Sequence, residues 1–199
     1  MKPVETGCEV DSGGNRVAAD AIRLKYFSGC AEPLERVCPV RLRDPLAPSI
    51  AARREGREID VDALHSHLES MTSAHDVTLV EGAGGLLVPI RDGVTFADLA
   101  RDWNLPLLVV VGNRLGALNH AQLTIRCAAQ ENLSVAGYVV NSLAEQLDVA
   151  AQTNVDLLEE LIGASLGVFP WVGRIDCSPE HRKRLAQAAE RSLDVSRLA

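Results

Sequence analysis

The segment Val80-Glu81-Gly82-Ala83-Gly84-Gly85 ends an apolar run with a carboxylate and follows it with four small residues. A carboxylate at a buried strand end, beside backbone that another group can approach, suits Mg²⁺ held through water and phosphate, because Mg²⁺ takes few protein carboxylates. The same residues also read as a Gly-rich turn with a solvated Glu. Lys2 precedes Pro3, and proline forces the residue before it out of the helical region, so the pair is extended. A lysine at a strand end can neutralise phosphoryl or carboxylate oxygens as a point charge; a disordered terminal Lys is the alternative. Asp20, in Ala18-Ala19-Asp20-Ala21-Ile22, falls near an expected helix start. Taken alone it reads as a surface or capping carboxylate. Gly112-Asn113-Arg114-Leu115-Gly116-Ala117-Leu118-Asn119-His120 joins an apolar run to a helix. A helix N-terminus there offers free N–H groups to an anion; an ordinary connecting loop and a structural His120 are the plainer readings.

Such residues need elements to position them. Val77–Val80, Leu107–Val111, Val135–Val140 and Leu166–Phe169 are continuous apolar runs, each ended by Glu, Gly, Asn or Pro. Runs of this kind read as parallel strands covered on both faces. Between them lie helical stripes: Val61, Leu64, Leu68 and Met71; Phe96, Leu99 and Trp103 after Thr95-Phe96-Ala97-Asp98, which resembles a capping box; Leu118, Ala121, Ile125 and Ala128; and Val155, Leu158 and Ile162. Ser178-Pro179-Glu180 is a helix start with proline in the first position. The strand ends recur at about the 30-residue interval of a βαβ unit. The pattern predicts one doubly wound α/β domain over residues 1–199 with a mostly parallel sheet. Asp11–Asn15 and the Pro-punctuated Pro39–Pro48 are expected loops. Ligands of open parallel sheets sit beyond the carboxyl ends of the strands. That singles out Glu81–Gly85, Gly112–Asn119, Asn141-Ser142, Pro170-Trp171-Val172 and, if it too ends a strand, Lys2–Gly7.

Composition narrows the function. The 199 residues include 27 acidic and 20 basic ones, for a formal charge of −7. No Lys/Arg stripe with interleaved aromatics is present, which argues against a nucleic-acid partner. The short basic runs Arg53-Arg54 and His181–Arg184 read as solvated helix faces. Five cysteines without a C-x-x-C disfavour a disulfide framework or zinc knuckle and fit a reducing, cytoplasmic setting. The longest apolar run, Leu105–Val111, is too short to span a bilayer. No G-x-S-x-G, G-x-G-x-x-G or G-x-x-x-x-G-K-[ST] motif occurs.

In order, Lys2-Pro3-Val4-Glu5-Thr6-Gly7, Asp20, Ala47-Pro48, Val80–Gly85, Val111-Gly112 with Leu115-Gly116 and Asn119-His120-Ala121, Gly137–Asn141 and Pro170-Trp171 closely resemble the dethiobiotin synthetase family, over residues 1 to about 177. The resemblance implies an α/β fold of the P-loop NTPase type. It implies conversion of 7,8-diaminopelargonate, CO2 and MgATP to dethiobiotin, ADP and phosphate by a homodimer. It also implies roles residue by residue. Lys2 matches the active-site lysine. Thr6, Pro48 and Asn119 match substrate-binding positions, the last on a helix start that receives the substrate carboxylate across the dimer interface. Asp20 and Glu81 match the carboxylates near Mg²⁺ and ATP, and Glu81, Gly82, Ala83 and Gly84 the nucleotide-facing loop. Asn141 matches the adenine-recognising amide, with Ser142, Pro170, Trp171 and Val172 beside the base.

The chain departs from that family in three places. Family members place a strand, a Gly-Lys-Thr phosphate loop and a helix before the Lys-Pro-Val strand, so about 35 residues, one βα unit, are expected to be missing here. Ser49 stands where histidine is common, and Cys177 falls near a position the family fills with Glu. The expectations are a start codon assigned too late, or a fragment, and very weak ATP binding by these 199 residues alone. Two other functions stay open: a non-catalytic dimeric binding protein built on this fold, and a related ligase of the cobyrinate amidotransferase type.

Overall fold

Proline at position 3 holds the first residues extended, and they form the first strand of the computed structural model, which describes residues 1–198. The chain divides into two compact units, Met1–Leu99 and Ala100–Ala199.

In the first unit, β1 (Val4–Glu5) pairs in parallel with β4 (Val40–Arg41), Val4 opposite Val40 and Glu5 opposite Arg41. Backbone bonds from Lys2 to Val37, from Leu42 to Glu5 and from Cys8 to Leu42 prolong the pairing on both sides. The hairpin of β2 (Glu9–Val10) and β3 (Arg16–Val17) follows. Its turn is the polar Asp11–Asn15 stretch, where Asp11 Oδ1 accepts the N–H groups of Gly13 and Asn15 at 2.8 Å. Then come α1 (Ala19–Ser28), α2 (Leu34–Val37), α3 (Pro48–Arg54) and α4 (Val61–Ala74). Asp60 caps α4 through the Ala63 N–H, and Val61, Leu64, Leu68 and Met71 are its buried stripe, as the spacing predicts. The antiparallel pair β5 (Pro89–Arg91) and β6 (Val94–Thr95) leads into α5 (Phe96–Asp102). Thr95 and Asp98 bond reciprocally at the start of α5, the expected capping box.

The second unit holds a parallel three-stranded sheet in the order β7 (Leu107–Asn113), β8 (Val135–Ser142), β9 (Val168–Phe169). Its crossovers are α6 (Ala117–Gln130) and α7 (Val149–Ile162). Val111, Ala117, Ala121, Tyr138, Val140 and Leu158 form its core. The last helix, α8 (Pro179–Ser192), starts at Ser178, whose side chain accepts the His181 N–H. It buries none of its residues, so His181–Arg184 is a solvated face as expected. Parallel pairing joined by helices is the α/β architecture the periodicity implies. Among the described residues, no helix is long and apolar enough to cross a membrane.

Three expectations are corrected. Val77–Val80 forms no assigned strand. Among the described residues its backbone is bonded only to Met1, in a parallel pattern: the Met1 ammonium donates to Leu79 O at 2.6 Å and Glu81 N to Met1 O at 2.9 Å. Val77 and Leu79 alternate onto one face and are each 77% exposed, because that face is uncovered among the described residues. The apolar run of β7 is not covered on both faces, since Leu108 and Val110 are exposed, Val110 by 63%. The Pro39–Pro48 loop contains β4, whose strand is set by pairing with β1 rather than by its own periodicity.

Candidate functional site

β1 carries Lys2 just before it and Glu5 at its end, and both side chains are buried. Burial of a lone ammonium is costly and must be answered by charge. The answer comes from two distant carboxylates. Lys2 Nζ lies 2.6 Å from Glu81 Oε1 and 3.3 Å from Asp20 Oδ2, and it donates to Gly82 O at 3.2 Å. Lys2 is 4% exposed, so the reading of a disordered terminal lysine does not hold. Burial works against its charge, but the Glu81 bond and the charges of Glu81 and Asp20 outweigh it and raise the Lys2 pKa above the ordinary lysine range. It is a fixed cation at neutral pH.

Glu5, unremarked in the sequence, sets the position of Asp20. Its Oε1 accepts the Asp20 N–H and its Oε2 the Ala21 N–H, each at 2.9 Å. Ala18, the N-cap of α1, has no side chain able to do this. A carboxylate at a helix N-terminus satisfies orphan donors and complements the helix dipole. The signal available was a Glu inside an otherwise apolar Pro-Val-Glu strand, which requires a partner if buried. Glu81 is placed by its own N–H bond to Met1 O. The following turn has Gly84 at φ +81°, where a Cβ would meet Val88 Cγ2 at 3.1 Å. Thus Lys2, Asp20, Glu81 and Gly82 meet at one point.

The Asp20 and Glu81 side chains are 50% and 51% exposed while the ammonium holds them together, and Asp20 Oδ1 also has the exposed Arg23 guanidinium 3.9 Å away. Two half-exposed carboxylates beside a buried cation fit Mg²⁺, which keeps several waters and shares its ligands with phosphate. They do not amount to a closed protein cage: among the described residues, no group of three or more His, Cys, Asp or Glu side chains could hold a metal.

Thr6 follows β1, and Pro48 is the buried first residue of α3, also in this unit. In the second unit, Asn141 and Ser142 end β8, and Asn141 is registered opposite Phe169 of β9. Pro170, Trp171 and Val172 follow directly, so these five residues share one end of the sheet. Asn119 lies exposed on the first turn of α6, after Gly116 at φ +90°. That helix has no side-chain cap.

A family model described as an AAA domain matches residues 1–180. The chain is 40% identical over 177 residues to the ATP-dependent dethiobiotin synthetase BioD of Aromatoleum aromaticum, covering 88% of this chain and 78% of that one. It is 35% identical over 186 residues to the BioD of Aquifex aeolicus, covering 94% and 80%. It is 30% identical over 207 residues to the BioD of Thermodesulfovibrio yellowstonii, covering 100% and 84%.

Proposed function

The chain belongs to the dethiobiotin synthetase family of ATP-dependent ligases in biotin biosynthesis, and we propose from that membership the substrates, ions and residues by which it acts. The substrates are 7,8-diaminopelargonate, CO2 and ATP with Mg²⁺, and the working form is a cytoplasmic homodimer. One amine of the substrate adds to CO2 and loses a proton, giving a carbamate. A carbamate oxygen attacks the γ-phosphorus and ADP leaves. The second amine then attacks the carbonyl carbon, phosphate departs, and the cyclic urea closes.

Such a sequence needs little covalent help, so positioning and fixed charge carry the catalysis. Lys2 is the catalytic cation, set where negative charge develops on the carbamate and the transferring phosphoryl group. Asp20 and Glu81 hold Mg²⁺, which when bound neutralises charge on the phosphate oxygens. Gly82, Ala83 and Gly84 let phosphate approach the backbone. Asn141 and Ser142, with Pro170, Trp171 and Val172, take the adenine; Thr6, Pro48 and Asn119 take the diamino acid.

The observation that carries this reading is the buried Lys2 ammonium shared by Glu81 at 2.6 Å and Asp20 at 3.3 Å. A surface pair would have no reason to be desolvated. The test is CO2-dependent formation of dethiobiotin and ADP by the unaltered chain and by Lys2→Met, at ATP concentrations raised to offset the weak nucleotide binding expected of these 199 residues alone. The variant is expected to lose about 10³-fold in kcat with its circular dichroism unchanged. Turnover of the variant at the unaltered rate, or ADP release independent of CO2, overturns the assignment.

A further inference from the structure

Asn154 on α7 is 3% exposed, and its amide is fully engaged on the donor side. Nδ2 donates to Asn113 Oδ1 at 2.9 Å and to Arg114 O at 3.1 Å. Asn113, the last residue of β7 and also buried, donates in turn to Ala151 O at 3.0 Å. The orientation is determined by the network, since a flipped Asn154 would set its oxygen against a carbonyl and a carboxamide oxygen, neither of which can donate. Arg114 O also accepts the Ala117 N–H at 3.0 Å, closing the turn that leads into α6. One side-chain amide therefore ties the β7–α6 connection to α7.

Packing alone does not call for this pair. It lies in the unit whose core is Val111, Ala117, Ala121 and Leu158, with Val155 against them, where apolar side chains of like volume would avoid the desolvation of two amides. What the pair fixes is a turn held locally only by backbone: Gly116 is in the left-handed region and α6 has no side-chain cap. Beyond it come the Leu118 and Asn119 N–H groups, which have no acceptor one turn earlier in the helix.

We propose that Asn154 is a positioning residue for the substrate. Its amide holds the first turn of α6 in the orientation that presents Asn119 and the neighbouring N–H groups to the carboxylate of the diamino acid. This rests on the assignment of Asn119 to the substrate made above.

The test compares the unaltered chain with Asn154→Leu, which removes the amide at similar volume, and Asn154→Asp, which keeps the shape and loses the donors. In both, KM for 7,8-diaminopelargonate is expected to rise about tenfold, while KM for ATP and kcat stay within about twofold. Hydrogen exchange of the bonded Ala117 and His120 amides is expected to speed up about tenfold, with β8 unchanged. A uniform loss of all kinetic constants that follows lost stability, or an unaltered KM for the diamino acid, overturns the proposal. If Asn154→Leu does not fold, Asn154→Asp decides. If the unaltered chain shows no turnover even at raised ATP, the proposed function fails, and exchange alone judges the positioning claim: unchanged exchange of the bonded Ala117 and His120 amides in Asn154→Asp refutes it, and acceleration confined there supports it.

Discussion

The Glu5 carboxylate spans two free amides in the first turn of α1, those of Asp20 and Ala21, from a strand fifteen residues earlier in the chain. Removing it strands two buried N–H groups and releases the helix that carries Asp20. Glu5→Ala is expected to cost about 2 kcal/mol of stability, and Glu5→Gln about half as much, because one oxygen still accepts. Urea midpoints measure both. Activity should fall further than stability in Glu5→Ala, since Asp20 loses its place beside Lys2. Equal losses would show that Glu5 serves the helix alone.

Asp20 and Glu81 make a second prediction. Asp20→Asn and Glu81→Gln keep the shape of the site and remove one charge each. Each variant is expected to need about tenfold more Mg²⁺ for half-maximal ADP formation, the double variant more than either. A magnesium titration of ADP release checks this. An unchanged magnesium requirement in both would separate the Lys2 cluster from the metal.

Away from the site, Glu55 is the hub of a basic network. Its carboxylate receives Arg16 at 2.7 Å, the Arg43 N–H at 2.9 Å and Arg57 at 3.1 Å. Burial alone would raise its pKa, but the Arg43 amide and the Arg16 and Arg57 cations hold it below the ordinary glutamate value. The folded pKa is therefore below the unfolded one. The stabilisation is complete above the unfolded value near 4.5 and is lost as pH falls through the folded pKa. Glu55→Gln should destabilise the chain by about 2 kcal/mol at pH 7, and the gap to the unaltered chain should close in acid. Thermal melts between pH 3 and 7 read this; a gap independent of pH would refute it.

The cysteines separate by burial. The Cys38 thiol is pushed up to about 12, mainly by burial, and burial also raises Cys8. Cys177 is exposed. Since only the thiolate reacts, a disulfide reagent at pH 8 should label Cys177 first, and Cys8 and Cys38 only on unfolding. Mass mapping of the labelled residues checks it. Rapid labelling of Cys38 in the folded chain would contradict its placement.

The sequence made the local parts of this fold legible. The stripe Val61, Leu64, Leu68 and Met71, the Thr95–Asp98 box and the Ser178-Pro179 start all depend on neighbours within one or two turns. The convergence of Lys2, Asp20 and Glu81 was legible only through the resemblance to the dethiobiotin synthetase family, since Asp20 taken alone reads as a surface or capping carboxylate. What was not legible depends on distant pairings. β4 hides in a proline-rich stretch until Val4 and Glu5 are set against it. Glu5 acts on α1, and Asn154 on β7, through contacts that no periodicity encodes. Gly167 reads as a routine strand glycine, yet a Cβ there would meet Ser192 O at 2.0 Å, so the absence of a side chain permits the approach of the last helix.

The margin formed by Val77–Val80 has a colloidal consequence. Its backbone is bonded from the Met1 side alone, its Thr78 hydroxyl is buried without a partner, and Val77 and Leu79 face water. An apolar, uncharged ribbon of this kind templates strand addition from another molecule. A lysine at position 79 is expected to weaken that templating without touching Lys2, Asp20 or Glu81.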